Sequence, residues 1–254
     1  MTHQPKKKVF ALWSIWIAGL LIFTAGGCSS CGTADNVGAT PLRTVAPESI
    51  LDAVFISNND TIDSNRRKLI AVHGLGDSPE NFAELFRDAR LSSTIILPRA
   101  PTPFGHGSSW FPVAIPVKST PEEKLKRDVK KAAEQLCDYI RAYRFKRAPV
   151  VTGFSQGGIL SFALAVTCPD QISAAVPVSG FLPLEIPGHL HVPPIIAFHG
   201  KSDRIIDFDW GNKSITRLQK ANVSARMNPF DHTGHTITPD MHQKWISVLQ
   251  HHLK

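Results

Sequence analysis

The chain has 254 residues, 43% of them hydrophobic and 19% charged, proportions that exclude a disordered or fibrous protein and allow one large or two small globular domains. Its formal charge is +7, but in the cation-rich segment from Lys124 to Lys131 the cations alternate with acids and no aromatic residues are interleaved, which argues against a nucleic-acid surface there. None of its histidines falls in H-E-x-x-H or a comparable ligand spacing, which argues against a zinc site.

Lys6-Lys7-Lys8 precedes an uncharged apolar stretch from Val9 to Ala25 that contains Trp13 and Trp16. That order is the basic and apolar part of a signal peptide, so residues 1–27 are expected to lie outside the fold, as a signal peptide or a membrane anchor. Ala25-Gly26-Gly27-Cys28 resembles a bacterial lipobox with Cys28 as the lipidation site, although Ala25 stands where that motif has Leu. Lipidation, plain secretion and an uncleaved anchor each carry the rest of the chain to the cell envelope or beyond it. Losing Lys6, Lys7 and Lys8 takes the formal charge from +7 to +4. Residues 28–45, rich in Ser, Gly, Thr, Ala and Asn, read as a flexible tether to a folded domain over 46–254.

Five short apolar runs follow in order. Leu69 to Val72 ends in His73-Gly74, Thr94 to Leu97 ends in Pro98, and Val150 to Thr152 ends at Gly153. Ala174 to Val178 ends in Ser179-Gly180, and Ile195 to Phe198 ends in His199-Gly200. Apolar on both faces, such runs suit the central strands of a parallel sheet. Helix patterns lie between them. Ser78-Pro79 opens one; Thr120-Pro121 opens a second, with Glu123 completing a capping box; Thr238-Pro239 opens a last one along Trp245, Val248, Leu249 and Leu253. The cations from Lys124 to Lys131 alternate with acids and read as a solvated helix face. Strand, loop and helix in alternation predict an α/β fold with a mostly parallel, doubly wound sheet and little or no cap domain. Cys137 and Cys168 fall on helix-like segments, where a disulfide and two buried thiols are both open.

Gly153-Phe154-Ser155-Gln156-Gly157-Gly158 follows the third run directly and contains G-x-S-x-G, the nucleophile-elbow pattern. A serine there needs a neutral imidazole to take its proton and an acid to hold that imidazole in the right tautomer. Asp203 lies in the loop after the fifth run, with Asp207 as a competing acid. His235 lies before the last helix, with His232 as its competitor; His242, His251 and His252 read as helix or tail residues. The order Ser155, Asp203, His235 is that of α/β-hydrolases. The oxyanion of a tetrahedral intermediate needs two N–H donors, expected from Gln156 and from Leu75 in the loop His73-Gly74-Leu75-Gly76-Asp77. The side chains of His73 and His199 read as packing residues at strand ends.

Taken together, Val72 to Asp77, Gly153 to Gly158, His199 to Asp203 and Gly234-His235 resemble, in order, the motifs of the phospholipase/carboxylesterase family that includes acyl-protein thioesterases. The resemblance spans about 165 residues. It implies a compact, nearly lidless α/β-hydrolase acting on esters or thioesters, with Ser155, Asp203 and His235 as triad and Leu75 and Gln156 as oxyanion donors. Ser109-Trp110-Phe111 is similar to that family's S-W-F segment beside the acyl pocket, so Trp110 and Phe111 are expected at the substrate. Pro112 follows where the family has an acid, which leaves acyl-chain preference open.

The expectation is therefore an exported serine esterase for a small acyl or lipid-like substrate. It needs no cofactor, metal or nucleic acid, and it meets the membrane through its N-terminal segment or a lipid. Two rivals stand beside it: an α/β-hydrolase peptidase, and a noncatalytic envelope lipoprotein that keeps the fold as a binding scaffold. A dienelactone-hydrolase-like enzyme is disfavoured, because serine stands in place of its cysteine. The sequence does not address oligomeric state.

Overall fold

In the computed structural model the described residues are 51–57, 65–188 and 191–254. The readings of a leader over 1–27, of lipidation at Cys28 and of a tether over 28–45 lie outside them. Each of the five apolar runs is a strand: β2 (Leu69–Val72), β3 (Thr94–Pro98), β6 (Val150–Phe154), β7 (Ala174–Val178) and β8 (Ile195–Gly200). They pair in the order β3-β2-β6-β7-β8, all parallel.

Two edge strands and a hairpin went unread in the sequence. Strand β1 (Ala53–Ser57) adds antiparallel to β3, and β9 (Ala225–Phe230) adds parallel to β8, which makes a seven-stranded sheet. The β9 sequence Ala-Arg-Met-Asn-Pro-Phe carries no apolar run because an edge strand is only half covered. A small hairpin, β4 (Thr102–Phe104) and β5 (Gly107–Ser109), stands apart from the main sheet.

Side chains alternate across the strands, so each face buries its own layer. On one face Ile70, Val72 and Val151 pack against α2 (Glu122–Ala142), α3 (Gln156–Thr167) and α4 (Phe208–Lys220) through residues such as Leu136, Leu160 and Leu218. On the other, Leu69, Ala71, Ile95 and Val176 pack against α1 (Pro79–Ala83) and α5 (Pro239–His252), with Phe82, Phe86 and Trp245 at the centre. Helix α3 is apolar almost all round and is buried along its whole length. By contrast α2 keeps a solvated face, where Lys126 pairs with Glu122 at 2.8 Å.

The helix starts test the capping expectations one by one. Ser78 Oγ accepts the Asn81 N–H, and Thr238 Oγ1 accepts the Met241 N–H, each at 3.3 Å. The box at Thr120 does not form. Pro121 is extended at ψ 133° and becomes the cap of α2, so Thr120 lies one residue too far out to reach the first turn. Its hydroxyl instead accepts the Ala114 N–H at 2.8 Å, and Glu123 pairs with Lys126 at 3.2 Å. Cys137 and Cys168, left open between thiols and disulfide, are joined by a disulfide that ties α2 to the end of α3.

Candidate active site

Ser155 sits between β6 and α3 with φ 58° and ψ −115°, a left-handed conformation rare for a residue with a side chain and costing about 1–3 kcal/mol. The neighbouring glycines make that turn possible. A Cβ on Gly157 would overlap the Val72 carbonyl oxygen, and one on Gly153 would stand 2.5 Å from the carbonyl oxygens of Gly157 and Val72. Helix α3 can therefore start hard against the end of β2. The Ser155 N–H donates to the Val178 carbonyl at 3.1 Å and fixes the turn from the other side.

His235 comes from the loop between β9 and α5, and its Nε2 lies 2.9 Å from Ser155 Oγ. Its Nδ1 lies 2.7 Å from Asp203 Oδ2. A carboxylate only accepts, so Nδ1 is assigned the hydrogen, which leaves Nε2 free to accept the Ser155 hydroxyl proton. Phe154 packs its ring 4.8 Å from that of His235 and helps to hold it. Asp203 Oδ1 accepts the N–H groups of Ile205 at 2.9 Å and Ile206 at 3.0 Å. Burial by itself would raise the Asp203 carboxyl, but the imidazoles of His199 and His235 beside it outweigh burial and hold the group well below the usual carboxylate range.

The competing residues lie elsewhere. Asp207 caps α4 by accepting the Asp209 N–H at 3.0 Å, and His232 is exposed on its loop. His242 bonds to the Leu85 carbonyl at 2.7 Å.

The Leu75 loop is close at hand. A Cβ on Gly74 would lie 3.4 Å from the Ser155 Cβ, so this loop runs directly past the hydroxyl. Gly76 N–H donates to the Ser108 carbonyl at 2.9 Å and Asp77 N–H to the Gly74 carbonyl at 3.3 Å. The Leu75 N–H, one residue before Gly76, takes no backbone acceptor among the described residues. Gln156 is the first residue of α3, where an N–H has no acceptor within the helix. The loop that carries Leu75 and the helix start that carries Gln156 thus both lie beside Ser155, and neither N–H has a backbone acceptor among the described residues.

Trp110 and Phe111 are 5% and 2% exposed and belong to the core rather than to an open surface. The Trp110 indole N–H donates to the His73 carbonyl at 3.0 Å; Gln156 accepts the Trp110 backbone N–H at 3.0 Å and donates to the Phe111 carbonyl at 2.8 Å. The S-W-F segment therefore clamps the elbow to the Leu75 loop. His73 does more than pack, contrary to the sequence reading. It donates from Nδ1 to the Gly74 carbonyl at 2.8 Å and accepts the Ala100 N–H on Nε2 at 3.2 Å. Burial, the dominant cause, pushes its imidazole down to about 4.

His199 corrects the sequence reading as well. Fully buried, it bonds through Nε2 to the Ile206 carbonyl at 3.0 Å and lies 3.3 Å from Asp203 Oδ2. The available signal was its place at the end of β8, four residues before Asp203. Beside Asp203 a cavity of about 280 Å³ is lined by Pro116, Lys118, Arg204, Ile205, Asp207 and Trp210. Among the described residues no group of three or more histidine, cysteine or acidic side chains is arranged to hold a metal.

The chain is similar to known proteins in sequence and in fold. A family profile described as Phospholipase/Carboxylesterase matches residues 56–253. A probable carboxylesterase of Oryza sativa subsp. japonica is 29% identical over 212 residues, which cover 75% of this chain and 79% of the relative. Acyl-protein thioesterase 1 of Cryptococcus neoformans var. neoformans is 26% identical over 176 residues, 61% of this chain and 74% of that one. Among solved structures, esterase PE8 superposes with a TM-score of 0.68 at 20% identity, covering 80% of this chain and 99% of its own, a likeness of fold.

Proposed function

The chain belongs to the phospholipase/carboxylesterase family, and from that premise we propose that it hydrolyses carboxylic or thio esters through an acyl-enzyme on Ser155. The observation that carries this reading is the unbroken run of contacts from Ser155 Oγ through His235 to Asp203, at 2.9 and 2.7 Å.

In the first half-reaction His235 Nε2 takes the Ser155 proton as Oγ attacks the acyl carbonyl. Asp203, ionised and fixed by two backbone N–H groups, stabilises the imidazolium that results. The Leu75 and Gln156 N–H groups hold the oxygen that becomes negative. The imidazolium then returns its proton to the leaving alcohol or thiol, and the acyl group stays on Oγ. In the second half a water gives one proton to His235 and attacks the acyl carbon, and collapse releases the acid and restores the serine. The strained φ of Ser155 supports this assignment, because it lifts the hydroxyl clear of the sheet toward the loops that bear the other groups.

The basic and apolar segment before Cys28 supports export of this domain to the cell envelope, as a lipoprotein, a secreted protein or one held by its leader. Mass analysis of the mature N-terminus tests lipidation.

The esterase reading is tested with a fluorophosphonate probe and a panel of p-nitrophenyl esters of increasing chain length. Wild type is expected to label stoichiometrically and Ser155→Ala not at all. A folded wild type that neither labels nor cleaves any ester would leave the scaffold reading in its place, and cleavage of peptide amides in preference to esters would support the peptidase.

A further inference from the structure

Asp203 accepts three hydrogen bonds and has a fourth donor, His199 Nε2, in longer contact. Its Oδ1 accepts two backbone N–H groups, and its Oδ2 faces two imidazoles: His235 Nδ1 at 2.7 Å and His199 Nε2 at 3.3 Å. His199 Nε2 also faces the Ile206 carbonyl at 3.0 Å. With acceptors on both sides, that nitrogen is assigned the hydrogen.

Packing alone does not account for an imidazole in this place. His199 Nδ1 is buried with no partner among the described residues, a loss an apolar side chain of similar size would avoid. Room for the ring depends on Gly211 in α4, where a Cβ would stand 2.7 Å from that same Nδ1. The one nitrogen with partners, Nε2, bonds to the Ile206 carbonyl at 3.0 Å and keeps Asp203 Oδ2 in contact at 3.3 Å.

We infer that His199 is a positioning residue, whose Nε2–H fixes the rotation of the Asp203 carboxylate and takes up part of the charge it presents to His235. The inference rests on the triad reading of the proposed function and deepens it. Held from one side only, Oδ2 could follow His235 as the imidazole moves between its partners; held from two, it stays in place while the proton is taken and returned. Sharing Oδ2 also weakens its pull on the imidazolium. Removing His199 leaves the carboxylate charge wholly to His235, so the acidic limb of kcat/KM should move to higher pH.

Other charges near the pair are exposed and the same in every variant. Lys118, Arg204 and Asp207 line the cavity beside Asp203, Asp209 lies in the first turn of α4, and Lys201 pairs with Asp231 at 2.7 Å next to His232. The end of β7 offers only the uncharged Ser179 and Gly180, and β9 meets the ring's surroundings through Met227.

The test compares full-length wild type, His199→Leu and His199→Gln, using p-nitrophenyl butyrate hydrolysis across pH and the low-field proton resonance of His235 Nδ1–H. His199→Leu is expected to lower kcat about 10- to 100-fold with KM nearly unchanged, and to raise both the acidic limb and the midpoint of the resonance by about half a pH unit or more. His199→Gln, which keeps a donor near the Nε2 position, should recover most of both. A folded His199→Leu protein that loses rate with neither limb nor resonance displaced would make His199 merely structural and overturn the inference. If His199→Leu does not fold, Gly211→Ala, which presses on Nδ1 from behind, must produce the same displacement, and its absence is equally decisive. The resonance needs no turnover, so an unreactive Ser155 would sink the esterase reading without deciding the role of His199.

Discussion

The carbonyl oxygen of Val72 occupies the place where a Cβ of Gly157 would be. This contact between the end of β2 and the first turn of α3 brings the Leu75 loop to the nucleophile. Gly157→Ala can be accommodated only by moving the elbow, and the expected loss is about 3–5 kcal/mol of stability, with little activity in whatever folds. Urea unfolding of the variant checks it. A midpoint within experimental error of wild type would mean that the helix start can shift freely.

Asp203 and Asp207 offer a clean contrast. Asp203→Asn keeps the shape but puts an amide N–H donor where the carboxylate oxygen accepted from Nδ1, and His235 is then held in the wrong tautomer; kcat should fall by about 10³- to 10⁴-fold. Asp207→Asn should leave kcat within about twofold, because asparagine caps a helix nearly as well as aspartate. Steady-state kinetics on both variants decides, and an equal loss in Asp207→Asn would move the acid.

His73 should make stability depend on pH. Its folded value is pushed down to about 4 from 6.5, so between these values the unfolded chain binds a proton that the folded protein refuses. Stability from this group is complete above pH 6.5 and is lost as the pH falls toward 4, by at most on the order of 3 kcal/mol. Denaturant midpoints of wild type and His73→Asn, compared from pH 4.5 to 7, should converge on the acid side. Parallel curves would show that His73 does not titrate in this window.

The Cys137–Cys168 disulfide closes a loop of 31 residues that contains β6, the elbow and α3. Loop-closure entropy assigns it about 3–4 kcal/mol. The double variant Cys137→Ala/Cys168→Ala should lose that stability and become indifferent to reductant, whereas wild type should fall to the same midpoint when dithiothreitol is added. Unequal midpoints under reducing conditions would point to a packing effect of the sulfur atoms instead.

Much of the fold is written in local pattern. Central strands in a parallel sheet are covered on both faces, so Leu69 to Val72 or Ile195 to Phe198 must be apolar throughout, and Ser78 and Thr238 declare their helices by local hydrogen bonds. Strand β9 escaped because its half-covered face permits Arg226 and Asn228. Thr120 misled because its motif is satisfied only if Pro121 lies within the helix, and the backbone there is extended.

The sequence by itself determined the class of fold, the elbow and the chain order of nucleophile, acid and base, because these follow from short-range pattern and from the steric demands of one turn. Only the tertiary structure decided which acid and which histidine meet Ser155. His235 is 80 residues from Ser155 and 32 from Asp203, and hydrogen bonds between such distant positions depend on how the strand ends converge. The same holds for the disulfide, for the clamp that Trp110 makes with His73, and for His199, whose role is visible only once its nitrogen is seen beside Asp203.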